Sequence, residues 1–357
     1  MSAQVFEGDC LEVMANMPDN HFDAIVTDPP YHFTSIVKRF GKEGAAPAKG
    51  DIYARASRGF MGKEWDGGDI AFRPETWAEA LRIMKPGAHL VAFGAPKNYH
   101  RLACAIEDAG FEIRDSLMWV FGTGFPKSLN VGNGWGTALK PAYEPIVLAR
   151  KPLSEKTVAA NVLRWGTGAL NIDATRIGMM THAEIARSGT STKADGWGMK
   201  PKSWKDEGRE PQGRWPANLC HDGSQQVLDL FPQSKDGVVG KRGGNGGDVM
   251  RTGFRPYDDT WGGYGGEGSA ARFFYSAKAS KTDRAGSKHP TVKPVSLMQW
   301  LVRMVTPPNG IVLDPFAGSG TTGKAAQNEG FGCILIEREE EYRRDIERRL
   351  FSLVAAE

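Results

Sequence analysis

Only 34 residues follow Gly323, the last glycine of a strand–glycine turn–helix unit near the end of this 357-residue chain. The unit runs Gly310-Ile311-Val312-Leu313, then Asp314-Pro315-Phe316-Ala317-Gly318-Ser319-Gly320-Thr321-Thr322-Gly323-Lys324, and opens a helix over Thr322 to Asn328. A glycine turn between a buried strand and a helix is how doubly wound α/β sheets approach a nucleotide-like ligand. Such a sheet needs several strands, and the residues after the turn hold one strand (Phe331 to Ile336) and one charged helix (Glu339 to Leu353). The missing strands must come from upstream. The order of elements therefore predicts a circularly permuted sheet, whatever the ligand.

The upstream residues supply them. Val5 to Asp9, Phe22 to Thr27, His89 to Phe93, Ser116 to Phe121 and Pro145 to Arg150 read as strands. Glu75 to Met84 and Tyr99 to Ala109 have helical periodicity, closed by Lys85-Pro86-Gly87 and by Gly110. No helix separates the strands at 116 and 145, so an antiparallel pair is open to them. Alternation of this kind implies an α/β sheet covered on both faces. Two stretches break the pattern: Ser35 to Gly68, and about 151 to 272, which is dense in Gly, Trp, Arg and Asn. Loops of this length are usually functional or disordered.

The glycine turn fits three patterns. As Gly318-x-Gly320-x-x-Gly323 with Glu337 ending the next strand, it matches a dinucleotide fingerprint. As Gly318 to Lys324 it nearly matches a phosphate-binding P-loop, but residue 325 is Ala, so the Mg²⁺-binding hydroxyl is missing. It also fits S-adenosylmethionine. Gly318 and Gly320 would let backbone approach the cofactor, and Glu337 would accept hydrogen bonds from the ribose hydroxyls.

The second motif is Asp28-Pro29-Pro30-Tyr31, at the carboxyl end of an apolar strand. Two prolines remove two backbone donors and fix φ, which leaves the Pro29 carbonyl rigid. A carboxylate, a carbonyl and an aromatic ring then converge on a volume suited to a planar base bearing an NH₂ group. Asp28 and the Pro29 carbonyl would each accept one amino hydrogen while Tyr31 stacks on the ring. Acceptors on both N–H groups push the nitrogen toward tetrahedral geometry and stabilise its developing positive charge. That chemistry requires no metal. Cytosine C5 chemistry needs a cysteine nucleophile, normally presented after a proline, and none of Cys10, Cys104, Cys220 or Cys333 follows one.

Asp28-Pro29-Pro30-Tyr31 followed far downstream by Phe316-Ala317-Gly318-Ser319-Gly320 resembles the β-class S-adenosylmethionine-dependent DNA amino-methyltransferases. His289-Pro290-Thr291-Val292-Lys293-Pro294 is similar to the segment that family places before its cofactor strand, and Gly8-Asp9-Cys10 to its adenosyl-contacting turn. The resemblance covers about residues 1–150 and 273–357. It implies a permuted Rossmann-like fold: a mixed seven-stranded sheet with one antiparallel strand, helices on both faces, and an inserted target-recognition region. It implies Asp28, Pro29, Pro30 and Tyr31 as the catalytic set. Asp9, Cys10, Thr291, Lys293, Asp314, Phe316, Gly318, Gly320, Thr321 and Glu337 are expected around the cofactor. Residues 1–150 then form the catalytic half, 151–272 the recognition insert and 273–357 the cofactor half. The family preference for Asp at the first motif position favours adenine N6, with cytosine N4 as the alternative; an RNA substrate or a catalytically dead DNA-binding regulator are further readings.

Positive charge is concentrated in one segment, which fits a polyanion-binding surface or a solvated loop region rich in Lys and Arg. Residues 150–288 carry 22 Lys and Arg against 15 Asp and Glu, a surplus of +7 in a chain whose net charge is +3. The expected partner is double-stranded DNA, whose target base must be flipped out to reach Asp28. Lys38, Arg39, Lys42, Lys49, Arg55 and Arg58, just past Tyr31, suit either a loop that holds phosphates beside that base or a disordered surface loop. Trp197, Trp204, Trp215 and Trp261 suit stacking on bases or the small core of a recognition subdomain. The resemblance also implies a homodimer. No run of eighteen apolar residues suggests a membrane span, no secretory signal is visible, and the scattered cysteines suit neither a zinc site nor disulfides, so a cytoplasmic location is expected.

Overall fold

The structure, a computed structural model, describes residues 3–31, 69–124, 128–178, 213–235, 267–277, 283, 287 and 292–351. Its main sheet is built from β1 (Ala3–Glu7), β2 (Phe22–Thr27), β3 (Met84–Phe93), β4 (Glu112–Val120), β5 (Tyr143–Arg150), β6 (Leu219–His221), β7 (Tyr275–Ser276), β8 (Ile311–Asp314) and β9 (Gly332–Glu337). These nine lie in the order β1-β9-β8-β2-β3-β5-β4-β6-β7. Only β5 runs against its neighbours, pairing antiparallel with both β3 and β4. The expected seven-stranded mixed sheet is present, and β6 and β7 extend its edge by two short parallel strands.

The permutation is visible in the register. β1, from the start of the chain, pairs with β9 from its end, Ala3 opposite Cys333 and Glu7 opposite Glu337. β8 lies between β9 and β2, joining the two ends of the sequence in one sheet. Connections diverge there: β2 leads to β3 on one side, β8 to β9 on the other. That divergence makes a topological switch point, where open α/β sheets leave a crevice at the carboxyl ends of their strands.

Helices α1 (Cys10–Ala15), α2 (Pro74–Ile83), α3 (Tyr99–Asp108), α4 (Val158–Trp165), α5 (Val295–Val305), α6 (Thr321–Asn328) and α7 (Glu340–Phe351) cover the sheet. Met14, Trp77, Ile83, Leu102 and Ile106 of the first three pack with Ile25, Leu90 and Ala92. Leu297, Trp300, Ala325 and Ile346 of the last three pack with Ala24, Val26, Val91 and Phe93. Neighbouring strand residues thus feed opposite cores, as the period of two requires. Every residue of β2 is buried, so its apolar run Ala24-Ile25-Val26 does not alternate, and the polar groups at its ends are paired: Asp23 with Lys85 and Thr27 with Asp314.

Three local differences from the sequence expectation have physical causes. Lys85-Pro86-Gly87 does not make a separate turn; α2 ends at Ile83 and β3 begins at Met84, with Gly87 taking φ +82° inside the strand segment. α1 begins at Cys10 because the Asp9 carboxylate accepts from the Leu11 N–H at 2.9 Å, capping a helix too short to show periodicity. α4 lies inside the irregular central stretch, with Thr157 Oγ1 accepting from Ala160 N at one end and Gly166 at φ +78° at the other. Those caps were legible, but the Gly- and Trp-rich surroundings masked them. Among the described residues no helix is long and apolar enough to cross a membrane.

Candidate active site

A cavity of about 1070 Å³ opens at the switch point. Asp9, Cys10, Asp28, Pro29, Pro30, Tyr31, Lys293, Asp314, Phe316, Gly318, Thr321 and Glu337 all line it. Residues separated by up to 328 positions in sequence are brought to one crevice because β2, β8 and β9 are neighbours. Thr291, the basic stretch from Lys38 to Arg58 and the tryptophans at 197, 204 and 261 fall outside the described residues. Trp215 is exposed, with the Arg176 guanidinium 5.5 Å from its ring centre, so it adds nothing to a core.

At the glycine-turn end the cavity wall is backbone. Glu337 Oε2 accepts from Gly318 N at 2.7 Å and Oε1 from Glu339 N at 2.8 Å. Burial pushes its carboxyl up to about 7 against these two donors. Each oxygen keeps a second acceptor site. Asp314 is buried and accepts from Thr322 Oγ1 at 2.6 Å, Thr27 Oγ1 at 2.7 Å and Phe316 N at 3.1 Å. Burial raises it to about 6. Its bonds tie β8 to β2 and shape the turn.

Gly320 is not part of the cavity wall. At φ +75° it precedes α6 as its N-cap, and a Cβ there would stand 2.9 Å from Ile346 Cγ1. The residue serves the docking of α7 on the turn, while Gly318 at φ +51° faces the cavity. Cys10 is buried and its thiol is pushed up to about 12, so it is a neutral wall group.

At the Asp28 end the wall is charged side chains. Asp28 Oδ1 accepts from Tyr31 Oη at 2.8 Å, and Oδ2 from Lys293 Nζ at 2.6 Å. Lys293 is only 6 % exposed and also lies 3.1 Å from Glu144 Oε2. Its ammonium sits over the rings of Phe93 and Tyr31, at 4.9 and 5.5 Å. Burial alone would lower the Lys293 pKa, but the Asp28 and Glu144 carboxylates more than offset it, and the group is held above its ordinary value. Burial drives Glu144 up, opposed by Lys293, and it drives the Tyr31 hydroxyl up together with the Asp28 charge. Asn98 Nδ2 donates to the Tyr31 carbonyl and fixes the end of the motif.

Glu144 and Asn98 were not singled out from sequence. Asn98 lies in a turn with no motif around it. Glu144 carries a faint signal, a lone acid opening an apolar strand. Only the antiparallel direction of β5 converts it into a site residue, because that reversal brings the strand's start, not its end, to the carboxyl edge of the sheet.

A crevice at the switch point of a permuted sheet, walled by a glycine turn on one side and by Asp-Pro-Pro-Tyr on the other, defines a Rossmann-like methyltransferase. Residues 22–348 match the N6/N4 family of DNA methylases, and the chain belongs to that family. It is 24 % identical to the Type II methyltransferase M.HindIII of Haemophilus influenzae over 90 % of this chain and 87 % of that one. It is 22 % identical to the Type II methyltransferase M.HinfI of Haemophilus influenzae over 97 % of this chain and 67 % of that one. In fold it is similar to the cytosine-N4-specific PvuII DNA methyltransferase, with a TM-score of 0.52 at 14 % identity, covering 100 % of this chain and 89 % of that one.

Proposed function

We propose that this DNA methyltransferase transfers a methyl group from S-adenosylmethionine to N6 of an adenine flipped out of double-stranded DNA. The observation that carries the reading is one cavity walled both by a buried carboxylate with no cation beside it among the described residues and by the Asp28 cluster. Glu337 and the Gly318 turn fit the cofactor. No cation is paired with Glu337 among the described residues, and a carboxyl raised to about 7 is stabilised in its charged form by a cationic ligand. When bound, the cofactor supplies a methyl group already activated on a sulfonium.

The chain's own residues do the rest. Asp28 has one acceptor site left on each oxygen after Tyr31 and Lys293 have donated, enough for an amino N–H. Together with the Pro29 carbonyl it orients the amine and stabilises positive charge as that nitrogen attacks. Tyr31, held by its own hydroxyl bond to Asp28 and by Asn98, is a fixed stacking face. Extruding the base costs about a few kcal/mol of lost stacking, and binding is expected to fall steeply with salt through the basic central segment.

The same reading divides the chain into a catalytic half at 1–150, a recognition insert at 151–272 and a cofactor half at 273–357, acting as a homodimer. Deleting Val239 to Glu267 should abolish sequence-specific methylation and spare cofactor binding. Light scattering with and without a duplex tests the dimer, and a fully active monomer would refute it. Expression in a host free of DNA methylation, followed by single-molecule sequencing of its genome, tests the chemistry. N6-methyladenine at a recurrent site is the expected result. N4-methylcytosine would reassign the base, and no modification would overturn the reading.

A further inference from the structure

Lys293 creates a problem for the chemistry just described. Its ammonium lies 2.6 Å from Asp28 Oδ2, on the carboxylate that has to stabilise positive charge growing on the target amine. A lysine and an aspartate at contact form a nearly neutral pair. A neutral pair offers little to a developing cation, and the exposed side of the ammonium opposes it. Glu144 is the third member. Its Oε2 lies 3.1 Å from the same ammonium, and β5 delivers it to the cavity wall beside Asp28. With Asp28, Lys293 and Glu144 all charged, the cluster carries one net negative charge.

We infer that Glu144 is a positioning residue for methyl transfer: it draws the Lys293 ammonium away from the amine and offsets its charge, so that Asp28 keeps the negative charge the reaction uses. The inference rests on the proposed methyl transfer to an amino group. Lys293 is then the strut that holds two carboxylates together, and Glu144 need not touch the base. The groups facing Glu144 are Lys293, Asp28 and the Tyr31 hydroxyl; Lys97 and Lys140 line the same cavity. Its strand partner across β4 is Trp119, which carries no charge.

The experiment is a pH–rate profile under saturating cofactor and duplex, for the full chain and for Glu144→Gln and Glu144→Asp, with cofactor binding measured by calorimetry in each. Burial holds the Glu144 carboxyl above its ordinary range, so the charged form dominates only at higher pH. Turnover of the native chain should therefore fall on an acid limb as pH drops through that raised value. Glu144→Gln should bind S-adenosylmethionine within about threefold of the native chain, turn over about ten- to a hundredfold more slowly, and lose the acid limb. Glu144→Asp keeps the charge and should recover most of the rate with a limb still present. Native turnover and an unmoved limb in Glu144→Gln would overturn the inference. So would Gln and Asp variants equally slow with the native limb, which would mark a purely steric role. If Glu144→Gln fails to bind cofactor, Glu144→Asp decides: a fast variant with a limb sustains the inference and a slow one refutes it. A native chain that methylates no duplex at any pH would refute the proposed function itself, a result distinct from all of these.

Discussion

The two ends of the cavity are built on opposite electrostatic plans. At the glycine turn, Glu337 and Asp314 are buried with hydroxyls and backbone N–H groups for company, and both carboxyls rise, to about 7 and about 6. At the other end, Asp28 and Glu144 share a buried ammonium, and a positive side chain is already in place. An acid left without a cation is costly by itself and becomes favourable when a ligand brings one. An acid paired in advance is stable without ligand and can act only if its partner leaves it charge to spare. The first plan suits binding and the second suits catalysis, which is why the two ends should answer differently to the same kind of mutation.

The largest difference is expected at Asp28. Asp28→Ala should lower turnover by about a thousandfold or more while leaving cofactor affinity nearly unchanged, since it removes an acceptor needed mainly in the transition state. Retention of more than about a tenth of native turnover would dissolve the distinction between the two ends. Glu337→Ala should do the reverse. Cofactor affinity measured by calorimetry should fall by about 1–3 kcal/mol, the worth of hydrogen bonds to a charged acceptor, with turnover at saturating cofactor far less affected. Unchanged affinity would mean that the ligand is held elsewhere.

Gly320→Ala separates packing from binding at the glycine end. The new Cβ meets Ile346 Cγ1 at 2.9 Å and sits on a left-handed backbone, so stability should drop by about 1–2 kcal/mol in denaturant unfolding. Affinity per folded molecule should stay native, because Gly320 does not line the cavity. A large affinity loss would return Gly320 to the cofactor site.

The contrast also explains what could be read from the sequence. The glycine turn, Glu337 and Asp-Pro-Pro-Tyr are each local patterns at strand ends, and their order along the chain carries the permutation. All of these were legible because strand, turn and motif lie within a few residues of one another. Gly320 looked like Gly318 because a pattern of glycines does not say which face of the turn each occupies; Ile346 on α7 decides it. The Asp28 network was only half legible. Lys293 stands in a recognisable segment that suggests a place beside the cofactor, but no local pattern announces its contacts with Asp28, Glu144, Tyr31 and Phe93. Glu144 depends on a strand running backwards, which is a property of the assembled sheet. Ion pairs 149 and 265 residues apart leave no mark in local sequence.

The smallest expected effect is a pH dependence of cofactor binding carried by Glu337. In the ligand-free protein its carboxyl is raised from an ordinary 4.5 to about 7. Between those values the folded chain holds a proton that the unfolded chain has lost. The stability it contributes is complete below about pH 4.5 and is lost as pH rises through about 7. A cationic ligand works in the other direction, favouring the ionised carboxylate and gaining affinity as pH rises. If only the ionised form binds well, affinity should rise by at most about tenfold from pH 6 to pH 8, about 1.4 kcal/mol. The ligand's own amino group titrates nearby, so the quantity to read is the difference between the native chain and Glu337→Gln, measured by calorimetry across that range. S-adenosylhomocysteine, which lacks the sulfonium charge, should show a shallower difference than S-adenosylmethionine. Equal slopes for the two ligands would mean that Glu337 senses the ribose alone, and that the uncompensated charge at this end is not what draws the cofactor in.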